Sequence, residues 1–262
     1  MKTRYGKFTW PEIRKLDKDR VVILPVGAME DHGKHLPLDT DNFIITRVAE
    51  AVAEKIPGEV LLLPTIPFGF NEHHKDFPGV IFIQPETLMH FVLDVTRSLA
   101  HHGFRRILLL NGHGSNHPVL DLAARKTVIE TEAVCVSASY WNLIGETLAG
   151  HRRSRIGGIA HAGEMETSIY LYFDPDHVVM EEAEADISHD PSSRYFSLDL
   201  MGGAKAMCMS WWSAQTKTGT MGDPTAADAR QGRIFFEAAV TEIIGLVREI
   251  RRLPIHPRRD HH

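Results

Sequence analysis

The chain has 262 residues, 43% of them hydrophobic and 24% charged, and a formal net charge of −5 at pH 7. This composition is ordinary for a globular protein with enough apolar residues for a core. The acidic balance gives no basic field for nucleic acid, two cysteines are too few for a disulfide framework, and the sequence has no run of 18 apolar residues that could span a membrane. We therefore expect a soluble, cytoplasmic protein whose partner is neither nucleic acid nor membrane.

Strand-like and helix-like hydrophobic patterns alternate along the chain. In chain order they predict a strand over 21–27, a helix over 42–56, a strand over 60–64, a loop over 68–79, a strand over 80–83, a helix over 86–102, a strand over 107–110, a helix over 118–131, a strand over 133–137, a helix around 166–172 and a C-terminal helix over 228–252. Such alternation is typical of the α/β class, in which helices cover both faces of a mainly parallel sheet. The sequence shows neither an internal repeat nor a low-complexity linker, so we expect a single domain over 1–262.

Residues 27–41, GAMEDHGKHLPLDTD, follow the first predicted strand and are rich in side chains that bind metals. These side chains are Glu30, Asp31, His32, His35, Asp39 and Asp41. Burying so many oxygen and imidazole groups is costly unless a cation lies among them, so the segment indicates a metal site. Asp41 lies at the start of the next predicted helix, where the helix dipole favours an ionised carboxylate that could bridge two cations. The alternative is a solvated polar loop, because loops often carry such residues.

A second polar segment, NGHGSN at residues 111–116, directly follows the predicted strand over 107–110. Its His113 lies between glycines, which let the backbone turn tightly beside an ion. The alternative is a turn histidine bonded to a carbonyl group. Ligands collect at the carboxyl ends of parallel strands. If the strands over 21–27 and 107–110 are neighbours, their two exit loops therefore meet.

A third segment, HAGEMETS at residues 161–168, opens a predicted helix. Glu164 and Glu166 are two positions apart at the helix start, so they face different sides of it. One of the two could bind a metal while the other anchors the helix. We expect Glu166 to be the structural anchor.

The segments GAMEDHGKHLPLDTD, NGHGSN, HAGEMETS and TGTMGDPT, in this order, resemble those of the creatininase family of metal-dependent amidohydrolases. The similarity runs from about residue 21 to about residue 249. It implies a three-layer α/β/α fold and two divalent metal ions, which are zinc, manganese or iron. It also implies a homo-oligomer, often a hexamer.

The resemblance further implies a role for individual residues. Glu30 and His113 would hold one metal, His32 would hold the other, and Asp41 would bridge them. The creatinine-hydrolysing branch has a carboxylate where this chain has Ser115. Glu164 is then the replacement metal ligand, as in the larger non-creatininase branch.

The chemistry that the family implies uses a hydroxide bridging the two metals as the nucleophile, since a bound metal brings the pKa of water down to near 7. His161 would be the catalytic proton shuttle. The alternative is that His161 is a structural histidine.

The sequence also bears on the substrate. Creatininase proper has an aromatic and acidic cluster just before this histidine, whereas residues 157–160 here are Gly-Gly-Ile-Ala. We therefore do not expect creatinine to be the substrate. The loop over 68–79 resembles a pocket-lining segment of the family, and its His73, His74 and Lys75 would bind substrate, or the loop is simply exposed. Ser115 would also bind substrate. Trp211 and Trp212 would either wall the pocket or serve as core or subunit contacts.

The leading hypothesis is a dinuclear metal hydrolase acting on a small polar, cyclic substrate. The alternatives are hydrolytic C–C ring opening of a keto-inositol such as 3-dehydro-scyllo-inosose, and formamide or peptide hydrolysis as in relatives. A non-enzymatic alternative is a metal-binding ligand sensor. The complete set of metal-binding side chains argues against a sensor whose site has decayed.

Overall fold

A parallel β-sheet forms the centre of the molecule. The computed structural model describes residues 1–187, 193–201, 204–256 and 258–262. Within this part of the chain the sheet has the strands β1 (Val21–Val26), β2 (Val60–Leu62), β3 (Arg106–Asn111) and β4 (Val134–Ser139). Their order is β2-β1-β3-β4, and every neighbouring pair is parallel. The prediction of a mainly parallel sheet is confirmed.

Helices connect the strands, and further helices come after the last strand in the chain. The α-helices are α1 (Trp10–Lys15), α2 (Thr40–Lys55), α3 (Pro85–His101), α4 (His117–Glu130), α5 (Tyr140–Leu143), α6 (Gly145–His151), α7 (Glu164–Phe173), α8 (Trp212–Gln215) and α9 (Ala229–Arg252). Short 3-10 helices lie at Tyr5–Lys7, Glu72–His74, Gly114–Asn116, Pro175–His177, Met180–Glu182 and Pro224–Ala226. None of the helices in the described ranges combines the length and the hydropathy that a membrane crossing needs.

Apolar side chains project from both faces of the sheet, because successive residues of a strand point to opposite faces. Val21 and Ile23 of β1 pack in one hydrophobic cluster with α2, α5, α6, α7 and α9. Val22 and Leu24 of the same strand pack in a second cluster with α3 and α4. The sheet therefore lies between two helical layers, which is the expected α/β/α arrangement.

One predicted strand is wrong. Residues 80–83 form only isolated bridges, Met29 with Ile81 and Gly69 with Phe82, and take no place in the sheet. Ile81 is 49% exposed, and Ile83 is only partly buried against the second hydrophobic cluster, so this short apolar run belongs to a loop at the edge of the core. Helices α1, α5, α6 and α8 were not predicted, because four to seven residues are too few to show a helical period.

The two polar exit loops start side by side. β1 and β3 are hydrogen-bonded neighbours, and Val26 at the end of β1 is in register with Asn111 at the end of β3. The expected convergence of the loops after these strands is confirmed. Since parallel strands share one carboxyl edge, both loops lie at the same edge of the sheet.

Candidate metal centre

Buried acids and histidines from five chain segments meet at this edge. The loop after β1 supplies Glu30 and His32, which are both fully buried. The first turn of α2 supplies Asp41, and the loop after β3 supplies His113. The segment that enters α7 supplies His161. Together with His74 from the loop over 68–79 and Glu166 from α7, these residues form overlapping groups of potential metal ligands.

His113 faces two carboxylates at once. Its Nδ1 lies 3.0 Å from Oε1 of Glu30 and 3.1 Å from Oδ2 of Asp41. Its other nitrogen, Nε2, is 3.2 Å from the carbonyl oxygen of Phe70. A carbonyl oxygen can only accept a hydrogen bond, so Nε2 donates and Nδ1 is left to the carboxylates.

His32 has the same arrangement on the other side of Asp41. Its Nδ1 is 3.3 Å from the carbonyl oxygen of Glu30. Its Nε2 lies 3.3 Å from Oδ1 of Asp41 and 4.0 Å from Oε2 of Glu166. The two oxygens of Asp41 therefore face two different histidines, which is the arrangement that a bridging carboxylate requires.

Asp31 holds two further histidines. Its carboxylate Oδ1 accepts a hydrogen bond from Nδ1 of His74 at 2.7 Å, and its carbonyl oxygen accepts one from Nε2 of His161 at 2.7 Å. The free nitrogens point to Glu30: Nε2 of His74 is 3.9 Å from its Oε2, and Nδ1 of His161 is 3.6 Å from its Oε1. Both tautomers are thereby fixed.

The four histidines share one pattern that fits metal ions. Each donates one N–H to a backbone carbonyl oxygen or, for His74, to the carboxylate of Asp31, and turns its second nitrogen to another carboxylate. A nitrogen lone pair facing a carboxylate is repulsive unless a proton or a cation lies between them. Both carboxylate oxygens of Glu30, Oδ2 of Asp41 and Nε2 of His32 are buried without a hydrogen-bond partner among the described residues. Such a set of oxygen and imidazole donors is the one that divalent zinc, manganese and iron accept.

The electrostatics of the site agree with this fit. Burial alone would raise the pKa of Glu30, but the facing His113 and His74 hold it well below its usual range. Burial alone would lower the pKa of His32, but the charge of Asp41 raises it to about 10. Burial raises the pKa of Glu166. Without an ion, protons on the histidines would balance the buried acids, so metal binding should release protons.

Glu164 and Glu166 face different sides of α7, as their spacing predicts, but their positions are the reverse of those we expected. The carboxylate of Glu164 accepts hydrogen bonds from the backbone N–H groups of Arg153 and Ser154, each at 2.8 Å. It therefore anchors the segment after α6, and it belongs to none of the candidate ligand groups that the described residues form. Glu166 instead groups with His32 and His161.

The residues expected to bind substrate separate into two sets. Nε2 of His73 lies 3.2 Å from Oγ of Ser115, and both side chains are buried beside the cluster. His74 lies inside the cluster, as described above. Lys75 does not reach it: this side chain is exposed and pairs with Glu72 at 3.2 Å.

The segment carrying His161 takes a strained path that brings His161 and Glu166 together. Ala162 has a φ of +52°, a conformation that residues with a side chain rarely adopt. The TGTMGDPT segment supports this turn, because Met221 donates its N–H to the carbonyl oxygen of His161 at 3.0 Å. A side chain on Gly222 would lie 2.7 Å from the backbone of Gly163. The fourth sequence motif thus packs against the third.

Sequence patterns pointed to three further residues at the site but not to the contacts that these residues make. Asp31 lies within the first motif, but alternation along an extended chain turns it away from Glu30 and His32. The position of His74 depends on how the loop over 68–79 folds back over β1. Trp212 packs against His74, His161 and His73, and its pairing with Trp211 in the sequence was the only indication of its place.

Known proteins resemble the chain over nearly its whole length. The family model described as creatininase, creatinine amidohydrolase, matches residues 6–247. The mycofactocin precursor peptide peptidase of Mycobacterium ulcerans is 32% identical over 91% of this chain and 85% of its own length. The creatinine amidohydrolase of Pseudomonas putida is 31% identical over 93% and 95%. The 3-dehydro-scyllo-inosose hydrolase of Thermotoga maritima is 28% identical over 94% and 83%.

Solved structures agree with the sequence comparisons. A crystal structure of creatinine amidohydrolase superposes with a TM-score of 0.78 at 28% identity, covering 96% of this chain and 99% of the other. Two other creatininase structures that match are described as a Zn–Zn type and as a Mn form.

Proposed function

This chain belongs to the creatininase family of metal-dependent hydrolases, and on that premise we propose that its buried cluster holds two divalent ions. Glu30 and His113 would bind one ion, His32 and Glu166 the other, and Asp41 both. The observation that carries this assignment is Asp41, whose Oδ1 faces His32 at 3.3 Å and whose Oδ2 faces His113 at 3.1 Å. Glu166 takes the ligand position that we expected for Glu164.

When bound, divalent ions would lower the pKa of water to near neutrality and polarise the bond to be cleaved. The chain itself supplies the proton transfer. His161 donates its Nε2 hydrogen to the carbonyl oxygen of Asp31, so its Nδ1 is free to accept a proton. We propose that this nitrogen takes a proton from the attacking water and passes it to the leaving group.

His73 and Ser115 would bind the polar part of the substrate. Burial lowers the pKa of His73 to about 3, so its ring is neutral and offers both a donor and an acceptor. Together with the Ser115 hydroxyl it suits hydroxyl, amide or carbonyl groups better than a cation. We therefore propose a small polar substrate that is neutral or anionic.

Metal analysis of the purified protein tests the first part of this proposal. We expect about two divalent ions per chain after growth in metal-supplemented medium, and loss of hydrolysis when a chelator removes them. Hydrolysis that survives complete metal removal would contradict the assignment. A protein that binds metal and small molecules but hydrolyses none of them would instead be the sensor considered above.

A substrate screen tests the second part. The relatives are named for amide, peptide and keto-inositol hydrolysis, so the panel should contain cyclic amides, formamides, short peptides and inositol-derived ketones. We expect turnover of at least one member and none of creatinine, because residues 157–160 carry no aromatic side chain. Efficient hydrolysis of creatinine would refute this exclusion.

We further propose that residues 1–262 act as a single domain and that the chain assembles with copies of itself. Exposed apolar side chains on α4, such as Ile129 at 81% exposure, support an interface between copies. Light scattering of the purified protein gives the molar mass directly. A monomeric mass at micromolar concentration would contradict the assembly.

A further inference from the structure

Trp212 covers the histidines of the candidate metal centre. Its ring centroid lies 4.5 Å from that of His74, 5.2 Å from that of His161 and 5.3 Å from that of His73. The indole is only 8% exposed. A molecule bound beside these histidines would therefore meet the face or the edge of this ring.

The indole N–H of Trp212 is a buried donor that lacks an acceptor. Across the described ranges no atom accepts a hydrogen bond from this Nε1. An indole nitrogen can only donate, and leaving such a donor unpaired in the interior destabilises the folded protein. An acceptor from outside the chain would remove this cost.

Packing in the core does not explain the burial of Trp212. The side chain is absent from the three hydrophobic clusters formed by the described residues. Its ring neighbours are instead His73, His74 and His161. A large aromatic ring held against polar ligands is typical of a substrate-binding wall.

Contacts on the outer side hold α8 in this place. The Nζ of Lys75 lies 4.7 Å from the ring centroid of Trp211, a cation–π distance. The hydroxyl of Ser213 donates a hydrogen bond to the carboxylate of Asp76. Both contacts fasten α8 to the loop that carries His73 and His74.

We propose that Trp212 is a substrate-binding residue that sets specificity by donating its indole N–H to an oxygen of the bound molecule. The acceptor is a carbonyl, carboxylate or hydroxyl oxygen next to the bond that is cleaved. The chain has no aromatic residue at 157–160, just before His161, so α8 supplies the aromatic wall from a different part of the sequence. This inference rests on the proposed function only in that the substrate binds at the metal centre.

The test compares Trp212→Phe with Trp211→Phe. The first variant keeps an aromatic ring and loses the donor. The second is a matched control, because Trp211 is the preceding residue, is 49% exposed and faces Lys75. The probe is acetohydroxamate, a small oxygen chelator of divalent ions, titrated calorimetrically into the metal-loaded proteins. KM and kcat are measured in parallel with whichever compound the substrate screen identifies.

We expect Trp212→Phe to weaken acetohydroxamate binding about tenfold and to raise KM by a similar factor, which corresponds to one lost hydrogen bond in a buried site. Metal content should be unchanged, and kcat should change less than KM. Trp211→Phe keeps an aromatic ring for the cation–π contact with Lys75, so α8 stays in place and this variant should match the wild type. Unchanged binding and KM in Trp212→Phe, or an equal loss in Trp211→Phe, would overturn the inference. If the protein binds no metal, it is the proposed function that fails, and the metal analysis shows this first.

A fluorescence measurement keeps the inference testable even if Trp212→Phe does not fold. In metal-loaded Trp211→Phe, acetohydroxamate should change the tryptophan emission, because Trp212 lies against the site. The remaining tryptophans are Trp10 in α1 and Trp141 in α5. Among the described residues neither has a ring contact with a histidine of the site, so we expect the change to come from Trp212. Emission that stays constant at saturating probe would contradict contact between Trp212 and the bound molecule.

Discussion

At the scale of single residues, the site is defined by which ring nitrogen of each histidine is available to bind a metal. An imidazole ring has two nitrogens, and a hydrogen bond from one of them decides which lone pair can bind a metal. The acceptors that make this choice are mostly carbonyl oxygens, those of Phe70, Glu30 and Asp31. Sequence patterns do not report where a carbonyl oxygen points. For this reason the sequence identified the ligand types better than their pairing.

The two glutamates of α7 give a matched pair of variants. We expect Glu166→Gln to lose about one metal ion per chain and most activity, because an amide is a poor metal ligand. Glu164→Gln should keep its metals and lose stability by about 1–3 kcal/mol, because the amide oxygen can replace only one of the two carboxylate oxygens that accept backbone hydrogen bonds. Metal content after dialysis and urea unfolding measure the two effects. Metal loss from Glu164→Gln alone would reverse the assignment.

His161 provides a second test at this scale. The proposed ligands of both ions do not include its side chain, so His161→Ala should retain its metals. Turnover should fall by about 10²–10⁴-fold, the usual effect of removing an acid–base group. Steady-state kinetics alongside metal analysis checks this. Undiminished turnover would return His161 to a structural role.

At the scale of elements, the packing of α9 against α7 sets the position of Glu166. Gly232 in the first turns of α9 lies directly against the backbone carbonyl of Ser168, two residues beyond Glu166 in α7. A side chain at this position would push the two helices apart. The close approach therefore depends on glycine.

Two glycines of α9 test this dependence. Gly232→Ala should destabilise the fold by about 1–3 kcal/mol through overpacking and should reduce metal retention. At Gly245 in the same helix an added carbon would meet no atom of the described residues within 4 Å beyond its own stretch of helix, so Gly245→Ala should stabilise the fold by up to about 1 kcal/mol. Thermal unfolding of both variants measures the difference. If the two variants unfold at the same temperature, α7 can shift to admit a side chain at Gly232 without loss of stability.

The sequence predicted the long elements well and the short ones poorly. The strands that become β1 and β3 are continuous apolar runs, and the long helices α3 and α9 have clear periodicity and boundary residues such as Pro85 and Asp228. Residues 80–83 look like a strand by composition, yet they lie in a loop near the site. Local composition cannot tell these cases apart, because contacts distant in sequence decide them.

At the scale of the whole molecule, the adjacency of β1 and β3 accounts for most of what could be predicted about function. It joins the first two motifs at one edge, so Glu30, Asp41 and His113 meet as the sequence indicated. The position of α8 could not be predicted in the same way. It depends on contacts of Trp211 and Ser213 with the loop over 68–79, which is more than 130 residues earlier in the chain.

The buried His35 links the stability of the whole fold to pH. Its ring is 1% exposed and its Nε2 lies 3.0 Å from Oγ1 of Thr167. Burial, together with the nearby His32 and His161, lowers the pKa of His35 to about 4. In the unfolded chain the same group titrates near 6.5. Between these two pH values the unfolded state binds the proton and the folded state does not. The free energy of unfolding therefore has its full value above about pH 6.5 and falls as the pH decreases towards 4.

We therefore expect the buried, neutral ring of His35 to lower the free energy of unfolding by about 2 kcal/mol when the pH falls from 7.5 to 5. Other buried groups titrate in the same range, so the informative quantity is the difference between the wild type and His35→Gln, whose amide can still bond to Thr167. Urea unfolding of both proteins at the two pH values, with excess chelator to remove metal-linked protons, gives this difference. The variant should lose about 2 kcal/mol less than the wild type on acidification. If both lose the same amount, His35 must take up its proton without unfolding, and its ring would then have access to water or to a carboxylate in the native protein.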